Sequence, residues 1–113
     1  MANLYHILLN IGSIPESIGK LLYLTDLDLS CNQLSGQIPE SIGKLTNLTT
    51  IDLHKNRLYG KLPESLGSLT KLITLKLYSN LFNGNIPNCF YYLVNLVTLE
   101  LNDNMFTGTE IST

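Results

Sequence analysis

The chain has 113 residues, of which 44% are hydrophobic and 14% are charged, and its formal net charge is -2 at pH 7. This balance excludes a disordered chain, and the length suits one domain with one continuous core. Because no basic surface is available to hold a phosphate backbone, we expect no nucleic-acid partner. No apolar run is long enough to span a bilayer, so we expect no membrane span in this chain.

A sequence repeat organises the chain, and the step between equivalent positions is constant at 24 (45 minus 21). Four columns of residues keep this step: Leu21, Leu45, Leu69 and Leu93; Asn32, Asn56, Asn80 and Asn104; Gly36, Gly60, Gly84 and Gly108; and Pro15, Pro39, Pro63 and Pro87. Such self-similarity is typical of a solenoid, in which each unit packs on its neighbours. We predict a single domain over residues 1–113, with a degenerate repeat at 1–20, regular repeats at 21–44, 45–68 and 69–92, and a partial repeat at 93–113.

The degenerate repeat at 1–20 keeps Gly12 and Pro15, but Leu8 stands where later repeats have the asparagine and Asn10 where they have a leucine. The segment Met1–His6 lacks the basic flank and the cleavage site of a secretory signal. Three explanations stay open at this point. A signal has been removed, the chain is a piece of a longer protein, or the protein stays inside the cell.

Each regular repeat contains a short strand. In residues 48–53 the apolar Ile51 and Leu53 alternate with polar residues, so we expect them to point inward while Thr50, Asp52 and His54 point outward. Because each repeat follows the same path, successive strands lie parallel and in register, about 4.8 Å apart. Four such strands give a strip about 15 Å wide, which is small for a tight protein interface.

The asparagine column follows the strands, where the chain turns. An amide side chain donates and accepts hydrogen bonds, so we expect a structural ladder of Asn32, Asn56, Asn80 and Asn104 inside the solenoid. Each repeat then ends in one helical turn, such as residues 39–43. Here Pro39 suits the first helical position, Glu40 the positive helix end and Gly43 the exit. We expect a large-residue column, Leu34, Leu58, Phe82 and Phe106, to pack in the core.

The two ends depart from the pattern. After Gly108 the expected isoleucine-proline pair is replaced by Glu110-Ile111, and neither end shows a clear polar cap. A solenoid needs such caps to cover its last apolar layer. We therefore predict a fragment, a truncated relative, or a protein whose ends are covered by something else. Self-association through uncapped ends is a further expectation.

The repeat resembles the plant-specific class of leucine-rich repeat, whose Gly-x-Ile-Pro element is present as residues 36–39 and 84–87. Similar repeats build the ectodomains of plant receptor-like kinases and receptor-like proteins, and the polygalacturonase-inhibiting proteins. The resemblance implies an α/β fold: a right-handed leucine-rich repeat solenoid with a parallel concave sheet, a second short sheet and helical turns on the convex side. It also implies an extracellular or cell-surface recognition role in defence or development, with a peptide or co-receptor on the concave face.

The outward strand positions carry the candidate binding residues, because they form one rigid, extended surface and vary along the stack. These residues are Asp26, Asp28, Asp52, His54, Lys76, Tyr78, Glu100 and Asn102. Tyr78 is the best aromatic anchor, since tyrosine is enriched at binding hot spots. Asp26, Asp28 and Asp52 form an acidic patch, which Lys76 relieves on one side. This patch is either a site for a cationic group of a partner or a solvated face where water screens the repulsion.

An enzyme is the least favoured class. Ser30, His54 and Asp52 invite interpretation as a catalytic triad, but an open sheet face offers neither an oxyanion hole nor a substrate pocket. Cys31 and Cys89 make no metal motif and lie too far apart for a disulfide, so we predict two free, partly buried thiols. We predict no metal site and no cofactor.

Asn47 begins an Asn-Leu-Thr tripeptide, which is an N-glycosylation acceptor if the chain is secreted. The leading prediction is a protein- or peptide-binding module that uses its concave face. The alternatives are an intracellular scaffold with the same repeats, or a truncated receptor fragment without independent activity. An occupied glycan at Asn47 favours the binding module, whereas reduced cysteines with a cytosolic location favour the scaffold.

Overall fold

A computed structural model describes the backbone of residues 3–5 and the complete residues 12–108. This part of the chain forms two parallel sheets and four 3-10 helices. The longer sheet contains, in order, β1 (Asn3–Tyr5), β2 (Asp26–Asp28), β4 (Thr50–Asp52), β6 (Thr74–Lys76) and β8 (Thr98–Glu100). The shorter sheet contains β3 (Ser35–Gly36), β5 (Arg57–Gly60), β7 (Leu81–Gly84) and β9 (Met105–Phe106). The helices are η1 (Glu16–Lys20), η2 (Glu40–Lys44), η3 (Glu64–Ser68) and η4 (Asn88–Tyr92).

The longer sheet has the predicted parallel register. Ile51 pairs with Leu27 on one side and with Leu75 on the other, and all three side chains are buried. The predicted alternation is confirmed, because Ile51 and Leu53 are buried while Thr50, Asp52 and His54 are partly exposed. The solenoid with parallel sheets and short helical turns is therefore the fold of this chain.

The sheet has five strands in the described residues, one more than we expected. The additional strand is β1, whose Leu4 pairs with Leu27. The sequence step between these two partners is 23 (27 minus 4), whereas the step from Leu27 to Ile51 is 24 (51 minus 27). A comparison at the constant step of the later repeats therefore misses this strand. The irregular positions Leu8, Asn10, Glu110 and Ile111 lie outside the described residues.

The asparagine column connects neighbouring coils through buried hydrogen bonds. Nδ2 of Asn80 donates to Leu53 O in the preceding coil at 2.9 Å and to Leu77 O in its own coil at 3.2 Å. Its Oδ1 accepts a hydrogen bond from Leu58 N at 3.0 Å. Asn56 makes the equivalent bonds one coil earlier. One amide thus satisfies backbone groups of both coils in an interior where an unpaired polar group is costly.

The helical turns are present, with two corrections to their expected ends. Glu40 lies in the first turn as predicted, but Pro39 is the N-cap residue, with extended φ and ψ of -70° and 148°. Gly43 lies inside η2, and Leu45 rather than a glycine is the C-cap. The need for glycine is steric, because a Cβ on Gly43 would lie 2.6 Å from the Cβ of Ser65 in the next helix. Glycine here permits close helix packing instead of a left-handed exit.

The large-residue column packs in the core as predicted. Phe82 is fully buried, and its ring stacks on that of Phe106 with 6.2 Å between centroids. Leu34 and Leu58 are also fully buried. Phe106 belongs to the last described coil and is partly buried against the core. The phenylalanines therefore contribute burial and ring contact to stability, as expected for core aromatic residues.

The two cysteines are both free, as predicted, but they differ in exposure. Cys89 is buried, whereas Cys31 is exposed and corrects the prediction of a partly buried thiol. Cys31 occupies a turn position with a φ of 59°, and Lys55, Ser79 and Asp103 share that conformation. Cys31, Lys55 and Asp103 are all exposed, because this turn directs its side chains away from the core.

Candidate functional site

The candidate site is the outward face of the longer sheet, and its side chains lie in rows across neighbouring strands. One row joins Asp28, Asp52, Lys76 and Glu100 in direct register. All four residues are partly exposed. The sheet therefore places two carboxylates side by side, followed by an ammonium group and a third carboxylate. Like charges on adjacent strands destabilise a sheet, while the Asp52–Lys76 and Lys76–Glu100 neighbours have opposite charge.

The acidic end of this face is held by local hydrogen bonds. Oδ1 of Asp28 accepts the Ser30 hydroxyl at 2.7 Å and the Ser30 backbone N–H at 3.1 Å. Asp26 lies on the same strand and pairs in register with Thr50. The hydroxyl of Ser30 therefore donates to Asp28, whereas a catalytic triad would require it to donate to His54. The Asp28 carboxylate is fixed by its own strand and remains partly open to solvent.

His54 and Tyr78 form the aromatic part of the face. Their rings stack with 4.5 Å between centroids and an interplanar angle of 7°. His54 Nδ1 lies 2.5 Å from Oδ1 of Asp52, which also accepts the His54 backbone N–H at 3.2 Å. The imidazole is thus held between a carboxylate of its own coil and a phenol ring of the next coil. Asn102, in the coil after Tyr78, is exposed.

The structure adds Cys31 to the site, which sequence reasoning missed. Its Sγ lies 3.5 Å from Nε2 of His54, on the ring edge opposite Asp52. The sequence placed Ser30 beside His54 because the two occupy equivalent positions after their strands. The turn at Cys31, with φ of 59°, brings the next side chain there instead. The available signal was the alignment of Cys31 with the polar turn residues Lys55 and Ser79.

Asn47 lies away from this face, on the path between a helix and a strand. Its Nδ2 donates to Leu22 O at 3.1 Å, and its Oδ1 accepts from Lys71 Nζ at 2.9 Å. The side chain is partly exposed. Glycosylation of Asn47 stays a prediction.

Within residues 12–108, no group of three or more acidic, histidine or cysteine side chains is arranged to hold a metal ion. The helices of the described part are too short and too polar to cross a membrane.

The fold and this face define a repeat protein with an open, side-chain-rich sheet surface. The family model of a leucine-rich repeat region matches residues 10–111. The chain belongs to the leucine-rich repeat family. A search of the curated proteins gives no match.

Solved plant receptor structures share the fold. The chain is similar to PEPR1 in its complex with AtPEP1, with 41% identity, a TM-score of 0.84 and coverage of 86% of this chain and 14% of the other. It is similar to the Arabidopsis receptor kinase HAESA in complex with the peptide hormone IDA and the co-receptor SERK1, with 35% identity and a TM-score of 0.81. That match covers 85% of this chain and 16% of the receptor chain.

A third similar structure is a plant ice-binding protein, with 38% identity, a TM-score of 0.80 and coverage of 84% of this chain and 31% of the other. The chain thus spans well under two thirds of the length of each of these relatives. The fold is that of plant leucine-rich repeat ectodomains, including receptors with bound peptide and co-receptor. Because the same fold occurs in an ice-binding protein, function has to be argued from the side chains of the site.

Proposed function

We propose that the chain is a recognition module that binds a peptide or protein, such as a receptor ligand or co-receptor, through the outward face of its longer sheet. The observation that carries the proposal is the stacked His54–Tyr78 pair beside the Asp28–Asp52 carboxylates. An aromatic pair supplies contact area at low entropic cost, and the carboxylates favour a cationic group on the ligand. HAESA, with a bound peptide hormone and co-receptor, has the same fold.

The small size of this face limits its affinity for a partner. Five strands at the usual spacing span about 19 Å, and a standard interface buries about 800 Å² on each partner. We therefore expect dissociation constants in the micromolar range or weaker for the isolated chain. Strong binding requires additional surface from further repeats or from a second partner. The proposed location is extracellular or at the cell surface, with a glycan on Asn47.

The test is titration of the isotope-labelled chain with two synthetic peptides of equal length, one rich in lysine and arginine and one rich in glutamate. Nuclear magnetic resonance shifts report which residues respond. We expect the cationic peptide to perturb Asp28, Asp52, His54 and Tyr78, and to bind more weakly as salt increases. Perturbations confined to the shorter sheet or the helices contradict the proposal, as does an equal response to both peptides.

A matched pair of variants separates this site from overall charge. The double variant Asp28→Asn/Asp52→Asn removes two negative charges from the proposed site. The control Glu40→Gln/Glu64→Gln removes two from exposed helical positions. We expect the first variant to weaken binding of the cationic peptide about tenfold or more, and the second to change it less than twofold. Equal losses in both variants mean that binding follows net charge alone, which overturns the proposed site.

A second candidate function is an intracellular scaffold, which the two free thiols favour. Structural disulfides are typical of secreted domains, and unpaired cysteines are usual where thiols stay reduced. Mass spectrometry of the protein isolated from its own cells separates the two functions. A glycan at Asn47 supports the extracellular module. Unmodified Asn47 in a protein recovered from the cytosol supports the scaffold.

A further inference from the structure

Cys31, His54 and Asp52 form a continuous chain of side-chain contacts, and the Cys31 thiol in this chain has no part in the proposed binding function. Sγ of Cys31 lies 3.5 Å from Nε2 of His54, and Nδ1 of His54 lies 2.5 Å from Oδ1 of Asp52. The Cys31 thiol is exposed, while the imidazole and carboxylate are largely shielded, with side-chain exposures of 17% and 15%. The accessible sulfur of Cys31 thus lies beside Nε2 of His54, and the other ring nitrogen of that histidine is held by Asp52.

The carboxylate determines which ring nitrogen is free. An ionised Asp52 only accepts hydrogen bonds, so Nδ1 of His54 must carry the proton in this contact. In the neutral imidazole, Nε2 is then an acceptor with its lone pair directed at Cys31. The thiol is the donor in the S–H···N contact. This is the polarity needed for the histidine to remove the thiol proton.

Other contacts keep the imidazole in this orientation. The Tyr78 ring covers one face of the His54 ring. The backbone N–H of Cys31 donates to His54 O at 2.8 Å, which fixes the two residues on adjacent coils. The backbones that carry the nucleophile and its base are therefore held together by the repeat. The arrangement resembles the cysteine–histidine–acid pattern by which a base activates a thiol.

We propose that Cys31 is a thiol–disulfide exchange site that reacts with small-molecule disulfides, with His54 as the base and Asp52 as a positioning residue. His54 takes the thiol proton, and the thiolate attacks one sulfur of the disulfide. A new sulfur–sulfur bond forms on Cys31, the old bond breaks, and the leaving thiolate takes the proton back from the imidazolium. The products are a mixed disulfide on Cys31 and one free small-molecule thiol, so the exchange needs no further oxidant.

The open sheet face restricts the chemistry to exchange at the thiol. Acyl transfer requires donors that stabilise an oxyanion, whereas attack on a disulfide sulfur requires a thiolate and access. Cys89 offers an internal contrast. It is buried, and its burial together with the charges of Glu64 and Glu40 raises its pKa, although backbone hydrogen bonds of Gly67 and Cys89 act in the opposite direction.

The experiment measures the rate of reaction with the neutral disulfide 4,4'-dithiodipyridine at pH 7, from the absorbance of the released thiopyridone. Cys89→Ala isolates Cys31, and Cys31→Ala isolates Cys89. Only the thiolate attacks a disulfide, and an ordinary thiol is only about 3% ionised at pH 7, so a neighbouring base that accepts the thiol proton speeds the reaction. We expect Cys31 to react about threefold faster in Cys89→Ala than in Cys89→Ala/His54→Gln, because the gain in thiolate is partly offset by the lower nucleophilicity of a less basic thiolate.

Three further variants in the Cys89→Ala background sharpen the result. His54→Phe keeps a ring against Tyr78 but removes the base, so it should be as slow as His54→Gln. Asp52→Asn should slow the reaction by a smaller factor, since it leaves the base but disturbs its tautomer. Lys55→Gln removes a cation from the same turn column and should leave the rate within twofold. Circular dichroism checks that each variant is folded.

Mass spectrometry after incubation of the wild-type chain with hydroxyethyl disulfide should place one adduct on Cys31 and none on Cys89. Equal rates with and without the His54 imidazole overturn the proposal, as does a loss in Lys55→Gln as large as that in His54→Phe. An adduct found on Cys89 in preference to Cys31 also overturns it. None of these outcomes depends on the peptide-binding function.

Discussion

The central coils (residues 45–92) and the last described coil (residues 93–108) share one sequence pattern but differ in burial. Leu75 is 0% exposed, whereas Leu99, its register partner in β8, is 39% exposed. Phe82 is fully buried, and Phe106 is partly buried. The pattern thus determines the direction in which a side chain points. Contact with a coil on each side determines how completely that side chain is removed from water.

The hydrogen bonds of the same two regions differ much less. Asn104 donates to Leu77 O at 3.0 Å and accepts from Phe82 N at 3.0 Å. These partners are equivalent to those of Asn80 in the coil before. Each asparagine bonds to the coil that precedes it, so the last coil retains its polar contacts while its apolar layer is more exposed. The two regions therefore separate the contribution of apolar burial from that of the amide ladder.

The largest expected difference is between Phe82→Ala and Phe106→Ala. Removing a fully buried phenylalanine leaves a cavity and costs about 3–5 kcal/mol, whereas a partly buried ring whose space is open to water costs about 1–2 kcal/mol. Urea unfolding followed by circular dichroism measures both losses. Equal losses would show that the last coil is as well covered as the central coils, which contradicts the difference in burial.

The asparagine ladder gives the second comparison, between Asn80→Ala and Asn104→Ala. Loss of the Asn80 amide leaves the buried Leu58 N–H without its acceptor, whereas Leu53 O keeps the bond from Asn56 Nδ2, so we expect a loss of about 2–3 kcal/mol. Loss of the partly exposed Asn104 amide should cost about 1 kcal/mol, because water replaces some of its bonds. The same unfolding measurement applies. A larger loss for Asn104 would mean that burial does not set the strength of this ladder.

The smallest expected effect concerns pH and tests the burial of Cys89 in η4, the final helix of the central coils. The pKa of Cys89 is raised, first by burial and then by Glu64. Because the unfolded thiol ionises first, its contribution to stability is complete below the ordinary thiol pKa of about 8.5 and decreases as pH rises above it. We expect the melting temperature of wild type to fall more between pH 8 and 10 than that of Cys89→Ala. Cys31→Ala should behave like wild type, and an identical fall in all three proteins would contradict the pKa shift.

Much of this fold could be predicted from the sequence, because the inward pairs such as Ile51 and Leu53 recur at a constant step. The strand β1 was missed since the offset between its partners is 23 (27 minus 4) instead of the regular step. The role predicted for Gly43, a helix exit, was wrong. Glycine is needed there because Ser65 of the next repeat lies close to it, and that distance depends on how the helices pack. The outward side chains of the candidate face follow from alternation. The contact of Cys31 with His54 could not be predicted from alternation, since it depends on a turn with positive φ.

The close approach of the helices has a consequence for the shape of the solenoid. Added Cβ atoms on Gly19, Gly43 and Gly67 would lie 2.8, 2.6 and 2.8 Å from the Cβ atoms of the following helices. The same column continues in η4 with Tyr91, which is 49% exposed. Strand spacing is fixed by backbone hydrogen bonds, so the width of the residue in this column sets the spacing on the helical side. The ratio of the helix spacing to the strand spacing determines the local curvature of the solenoid. Glycine permits a tight helical side and a flatter stack, whereas an aromatic ring between two helices would separate them and bend the stack toward the longer sheet.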